Sequence, residues 1–332
     1  MSKNLEGKVA IVTGSGQGVG KGIAVGLARE GVKVVTNNRK PSAQKEPIPA
    51  SLSEETRQRL LRLKGDAEST ANLIIAEGGE AVPFYGDVSD FDIAEKMVEA
   101  AIDAFGRVDI IVNNAAGLGS GSILETDESS WDYQNIAKVK GTFNLMRHAT
   151  PHMVKQKYGR VINIASHAWV GLQGLAAYCS ANAAVVGLTK AAAKDLHHFG
   201  ITVNAICPEA ESPGHVVEFN AMVAKLSKAG INVPEDKLKE VEAAHGPAEN
   251  LAPFVGYLCT PEAEYINGAV FAVTGNGNIN YFTNPIRRFE GLSKKDGMWT
   301  IEELSKVVPE QLLKGYVSVV AVDDHSTMME DL

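Results

Sequence analysis

Short apolar runs alternate with stripes at helical spacing along most of the chain. Residues 8–13 (Lys-Val-Ala-Ile-Val-Thr) are almost wholly apolar and bounded by glycines, the pattern of a strand buried on both faces. Similar runs recur at 32–37, 81–85, 109–112, 161–165, 202–206 and 269–273. Between them, apolar positions recur every three to four residues over 23–30, 66–76, 91–105, 129–157, 178–199 and 248–259, which predicts amphipathic helices. Strand and helix in strict alternation predict an α/β fold, a doubly wound parallel sheet with right-handed crossovers. No second strand-helix series follows, so residues 1–275 are expected to form one domain.

Three stretches depart from the alternation. Residues 41–64 read as an insertion: Pro41, Pro47 and Pro49 favour extended chain, and Ser53-Glu54-Glu55 then opens a short basic helix reaching Lys64. Residues 208–248, with Pro213, Gly214, Gly230 and Gly246, are expected to form a mobile substrate lid. Residues 276–332 form a C-terminal extension. Phe282, Trp299, Ile301, Leu304, Val307, Leu312 and Leu313 give it apolar surface to pack on the domain or a neighbouring subunit, and residues 323–332 read as disordered. Within it Thr300 and Glu303 have the spacing of a capping box.

Composition narrows the partners. The 332 residues carry a formal net charge of -8, which disfavours nucleic acid and anionic membranes as partners. No apolar run approaches the roughly 18 residues of a membrane span. Cys179, Cys207 and Cys259 are too few and too scattered for a disulfide framework or a metal cluster. A cytoplasmic protein acting on a small molecule, without metal, is expected.

Chemistry enters after the first strand. Gly14-Ser15-Gly16-Gln17-Gly18-Val19-Gly20 joins that strand to a helix, where glycines let backbone N–H groups approach a pyrophosphate. At the end of the second strand Asn38 stands where an acid would hold a ribose 2′-hydroxyl, and Arg39 and Lys40 follow. Basic residues there accommodate a 2′-phosphate, so NADP(H) is preferred and NAD(H) stays open. The competing interpretation makes both cations solvated loop charges. Further along, the strand at 161–165 delivers Ser166 to its end, and Tyr178 opens the next helix. Position 182, on the same helix face as Tyr178, is Asn.

Together Thr13 to Gly20, Asp87-Val88, Asn113-Asn114-Ala115, Ser166 and Tyr178 resemble the short-chain dehydrogenase/reductase family over residues 5–275. The resemblance implies a Rossmann-type fold and a homodimer or homotetramer. It also implies cofactor contacts from Gly14, Ser15, Gln17, Gly18, Val19, Gly20, Asn38, Arg39, Asp87, Val88, Asn114, Ala115 and Pro208, with Ser212 holding the nicotinamide carboxamide. The insertion, the Lys140-Gly141-Thr142-Phe143 run and the Gly-x-Trp-Thr tail are similar to longer bacterial members and to the hydroxyacyl-CoA dehydrogenase module of peroxisomal multifunctional enzymes.

In such proteins the tyrosine is general acid/base, the serine orients the substrate oxygen, and a lysine four residues after the tyrosine lowers its pKa. An asparagine in the preceding long helix continues the proton relay. Here the serine-tyrosine spacing is 12 residues, one short of the commonest, and the lysine position is Asn182. The asparagine position, three residues before Gly141 and seven after Trp131, is Lys138. Lysine and asparagine thus read as exchanged between two helices. A tyrosine of pKa about 10 is a poor base at neutral pH, and an ammonium from either helix could lower it. Ser166, Tyr178, Lys138 and Asn182 are therefore the expected catalytic set. Two alternatives stand beside it. A solvated Lys138 would leave an impaired, cofactor-binding pseudoenzyme, or the scaffold carries a lyase or isomerase step. His167 and Trp169 are candidates for the substrate pocket, with packing the alternative. Cys179 and Cys207 read as buried fillers, with no His or Lys nearby in sequence to activate them. Lid and tail together predict a bulky substrate, and Glu209 replaces the glycine usual after Pro208.

Overall fold

The computed structural model describes residues 4–44, 48, 52–117, 119–228, 232–234, 236–237, 245–283, 292 and 300–312. Pro47, Pro49, Gly230, Trp299, Leu313 and residues 323–332 lie outside these. The strands are β1 (Val9–Val12), β2 (Lys33–Asn38), β3 (Ala81–Tyr85), β4 (Ile110–Asn113), β5 (Gly159–Ile164), β6 (Ile201–Glu209), β7 (Val270–Thr274) and β8 (Ile279–Tyr281). They form one sheet in the order β3-β2-β1-β4-β5-β6-β7-β8. The central strands β1, β4 and β5 are buried throughout because helices cover both faces. Val9 and Ile11 enter the core on one side, Ala10 and Val12 the core on the other.

β1 pairs in parallel with both β2 and β4, so the strand order reverses beside it. Crossovers diverge there and leave a crevice at the carboxyl ends of the strands. The parallel series ends at β7, and β8 pairs antiparallel to it with Val273 opposite Ile279. β8 falls inside the expected C-terminal extension. Its three residues are all exposed, so it carries no buried apolar pattern that would announce a strand.

The α-helices are α1 (Gly18–Arg29), α2 (Glu54–Leu63), α3 (Ala67–Ala76), α4 (Phe91–Phe105), α5 (Glu128–Asn135), α6 (Gly141–Gln156), α7 (Ala176–Leu196), α8 (Pro213–Lys228), α9 (Ala252–Leu258) and α10 (Ile301–Val307). None of the described helices is long and apolar enough to cross a membrane. Their starts follow local chemistry. Ser53 accepts from Thr56 N at α2, and Thr300 and Glu303 cap α10 reciprocally, as their spacing predicts. Asp66 caps α3 and also accepts from Ser42 N at 2.8 Å, which pins the two ends of the insertion together. Burial pushes the Asp66 carboxyl up, but hydrogen bonds from Ser42 and Ser69 overcome this and hold it well below the usual carboxylate range.

One expected helix is not continuous. The stretch 129–157 divides into α5, a π-helical turn at Ile136–Lys140, and α6. The wide turn rotates Lys138 inward, and Thr142 Oγ1 donates to the Lys138 carbonyl at 2.7 Å. A Cβ on Gly141 would lie 2.8 Å from Val88 Cγ1, so a larger residue here would push on the turn after β3. Apolar periodicity does not register a one-residue widening of a helix.

Candidate active site

Two groups of residues gather at the carboxyl ends of the strands. The first surrounds the glycine-rich loop. Gly18 has a φ of 52°, in the left-handed region, and a Cβ on Gly20 would lie 2.4 Å from Asn114 Nδ2. Thr13 Oγ1 accepts from the N–H groups of Asn114 and Ala115, both at 2.9 Å, and Asn114 Nδ2 donates to the carbonyls of Thr13 and Gly14. Asn37 completes the brace: it accepts from Gly14 N through Oδ1, and its own N–H donates to Ser15 Oγ at 2.8 Å. Gln17, the residue before α1, makes no side-chain cap, so the first N–H groups of α1 face the crevice without one.

Asn38, Arg39, Asp87 and Val88 lie beside this loop. Asn38 Oδ1 is buried without a hydrogen-bond partner, next to Gly16, where a Cβ would sit 1.9 Å from it. Arg39 is exposed, with Nη1 3.9 Å from Asp87 Oδ2 and Nη2 donating to the Tyr133 hydroxyl at 3.4 Å. It therefore bridges the ends of β2 and β3 instead of projecting freely from its loop. Ser212 packs against Gly18, and its Oγ accepts from His215 N at the start of α8. Pro208 lies in β6 opposite Val273. The cradle too tight for a Cβ, the uncapped helix start and the unpartnered Asn38 oxygen fit a dinucleotide phosphate and ribose.

The second group is built from side chains. Ser166 follows β5, where its Oγ accepts weakly from Ala168 N at 3.3 Å and starts a short 3₁₀ turn, His167–Val170. Tyr178 stands half-buried in the first turn of α7. Asn182 is wholly buried one turn later. Its Nδ2 donates to the Tyr178 carbonyl at 2.9 Å, and its Oδ1 has no hydrogen-bond partner. Lys138 is 4% exposed, on the π turn that packs against α7. No hydrogen bond joins its ammonium to another described residue. At 4% exposed, Lys138 lies within the protein and does not project from its surface.

Burial lowers the Lys138 amine from 10.5 to about 8, with Cys207 opposing the shift. The Cys207 thiol is pushed up to about 12 by burial, against the pull of Lys138. Cys207, with no His or Lys beside it in sequence, has Lys138 as an electrostatic neighbour in space. Its thiol is nonetheless far from thiolate character. No group of His, Cys, Asp and Glu among the described residues could hold a metal ion.

His167 and Trp169 both contact Phe282, with ring centroids at 5.6 and 5.5 Å. His167 Nδ1 also lies 3.2 Å from Glu209 Oε1. Two contributors here escape the sequence reading: Asn37, which braces the loop, and Tyr133 beside Arg39. Asn37, next to the strand-end Asn38, had a local signal, and Phe282, named there only as apolar surface of the tail, meets His167 and Trp169.

A family model described as short chain dehydrogenase matches residues 8–74 and 58–223. An uncharacterized oxidoreductase of Thermotoga maritima is 34% identical over 278 residues, covering 82% of this chain and 98% of that protein. A 3-oxoacyl-acyl-carrier-protein reductase of Staphylococcus aureus is 33% identical over 81% of this chain and 97% of its own length. A hydroxy(phenyl)methylsuccinyl-CoA dehydrogenase subunit of Thauera aromatica is 36% identical over 83% of this chain and 98% of its own. The crystal structure of a short chain dehydrogenase from Mycobacterium avium matches with a TM-score of 0.72 and 30% identity, covering 93% of this chain and 95% of that one. The chain belongs to the short-chain dehydrogenase family, and is an NAD(P)-dependent oxidoreductase of that family.

Proposed function

We propose that this oxidoreductase interconverts a carbonyl and an alcohol on a bulky substrate, with a tetrad in which the usual lysine and asparagine have changed places. The observation that carries this reading is the burial of Lys138 on a π turn packed against the helix of Tyr178 and Asn182. A lysine is rarely buried without a reason, since desolvating its charge is costly.

Bound in the crevice, NAD(P)(H) supplies or accepts a hydride. Ser166 hydrogen-bonds the substrate oxygen and orients it, and Tyr178 moves the proton between its phenol oxygen and that oxygen. The Lys138 ammonium favours the phenolate form electrostatically, an effect that depends on distance and dielectric and not on which helix carries the charge. Asn182 Oδ1, buried and unpartnered, is suited to accept from a ribose hydroxyl. Arg39 beside Asn38 supports NADP(H) over NAD(H), because a guanidinium pairs with a 2′-phosphate that a neutral amide tolerates. His167 and Trp169 border the substrate. Two of the relatives are named for acyl thioesters, which supports a bulky carbonyl compound as substrate. Exposed Trp131, Ile136 and Phe143 on the outer side of α5, the π turn and α6 support self-association, which sedimentation of a Phe143→Glu variant tests.

Lys138→Ala is the direct test. Turnover of a panel of ketones, aldehydes and thioesters should fall by about 10²-fold or more, the range of acid-base assistance, with NADPH affinity little changed. Activity equal to that of the unaltered chain would refute the relocated cation.

A further inference from the structure

Beside Ser166 lies a polar pair that the tetrad does not use. His167 directly follows Ser166, and Glu209 directly follows Pro208, so both stand at the carboxyl ends of adjacent strands. Ala165 N donates to the Ile206 carbonyl at 2.7 Å and holds those strand ends together. His167 Nδ1 is 3.2 Å from Glu209 Oε1, with the two side chains 35% and 39% exposed. Phe282, in the residue after β8, fixes the imidazole from behind, with ring centroids 5.6 Å apart. Trp169 meets the same Phe282 edge-on, so the remaining wall is aromatic.

The hydrogen-bond polarity of this pair follows from its chemistry. A carboxylate only accepts, so at this 3.2 Å contact Nδ1 is the nitrogen placed to donate toward Glu209. In a neutral imidazole Nε2 is then an acceptor, and Glu209 Oε2 is a second one. Neither atom has a hydrogen-bond partner among the described residues. Next to the serine that orients the reacting oxygen, the protein therefore presents two acceptors and a negative charge against an aromatic wall. That combination accommodates a hydrogen-bond donor, and it disfavours both a plain hydrocarbon and a carboxylate.

We propose that His167 and Glu209 are specificity-determining residues that select a substrate with a hydroxyl on the carbon beside the reacting one: a hydroxyketone in reduction, a vicinal diol in oxidation. The inference rests on the redox reading of the site and adds the substrate's second polar group.

Phenacyl alcohol and acetophenone, which differ by one such hydroxyl, provide the test. Their dissociation constants are measured by calorimetry on the full chain saturated with NADP⁺, so that no turnover is needed. The unaltered protein should bind phenacyl alcohol about tenfold more tightly, the effect of one well-made hydrogen bond. Glu209→Gln keeps the shape but turns one acceptor into a donor, and His167→Phe keeps the ring on Phe282 but removes both nitrogens. Each should bring the two affinities within about twofold, against the tenfold expected of the pair. Equal affinities in the unaltered chain, no detectable binding of phenacyl alcohol, or a preference that survives in either variant would overturn the assignment. Selective binding of phenacyl alcohol by a chain that turns over no carbonyl compound would instead refute the redox reading and leave this pocket assignment standing.

Discussion

The two halves of the crevice are made of different material. Around the glycine-rich loop the groups that face the cofactor are backbone N–H and C=O, placed by glycines too close to Asn38, Asp66 and Asn114 to bear a Cβ. On the other side the proposed site is made of side chains: Ser166, Tyr178, Lys138 and Asn182. A backbone cradle has no substitute, since any residue but glycine fills it. An electrostatic contribution can be moved, because an ammonium acts through distance and dielectric and can be carried by any nearby stem. The motif around the loop is accordingly intact, while Lys138, the cation of the proposed tetrad, stands 44 residues before Asn182.

Five variants sharpen this contrast. The largest effect is expected in the pH profile of turnover. Lys138 carries its charge below about pH 8 and loses it above, so assistance to Tyr178 should fall as pH rises through about 8. That limb should be absent in Lys138→Ala, whose rate lies about 10²-fold lower. A limb that persists in the variant would assign it to another group.

Next in size is a stability gain at the cost of function. Lys138→Met should stabilise the fold at pH 7 by on the order of 3 kcal/mol, since burial lowers the lysine from 10.5 to about 8 and each unit is about 1.4 kcal/mol. The unfolded chain keeps this proton up to about 10.5, whereas the folded chain releases it near 8. Wild-type stability therefore rises across that window, and the advantage of Met fades. Denaturant titrations at pH 7 and pH 10 measure both; a destabilised Met variant at pH 7 would contradict the burial cost.

Gly16→Ala tests the backbone half. The added methyl would meet Asn38 Oδ1 at 1.9 Å and Asp66 Cα at 2.4 Å, an overpacking that should cost about 1–3 kcal/mol. Cofactor titration should show weaker NADPH and NADH binding alike. Arg39→Ala is expected to act more narrowly, weakening NADPH by about tenfold while leaving NADH nearly unchanged, as loss of a phosphate partner implies. Equal effects on the two would remove the 2′-phosphate argument. Smallest of all is Arg59→Ala, which breaks the ion pair from α2 to Glu211 before α8. Both partners are partly exposed, so the loss should stay within about 1 kcal/mol, read as a small drop in Tm.

How much of this was legible in the sequence depended on how local the signal was. α2, α3 and α4 start at Ser53, Asp66 and Asp90, each of which satisfies N–H groups two or three residues on, and their spans follow from that spacing. β3 is read to the residue because turn residues close it at both ends. The π turn was not legible, because an unbroken apolar period spans 129–157, and neither was β8, whose exposed Ile-Asn-Tyr depends on pairing with β7. Lys138 as a candidate came from counting back from Gly141, but its burial came only with the turn. The pairing of His167 with Glu209 joins the ends of two strands, and no spacing rule connects them. Cys207 shows the converse: lacking a basic neighbour in sequence, it nevertheless has Lys138 beside it in space.

The most direct test of the relocated cation is the reciprocal exchange. Turnover is compared for the unaltered chain, Lys138→Asn, Asn182→Lys and the double variant, with NADPH binding confirmed in each. The account predicts that Lys138→Asn loses about 10²-fold and that adding Asn182→Lys recovers most of the rate, since the ammonium returns from the other helix. A double variant as slow as Lys138→Asn alone would contradict it.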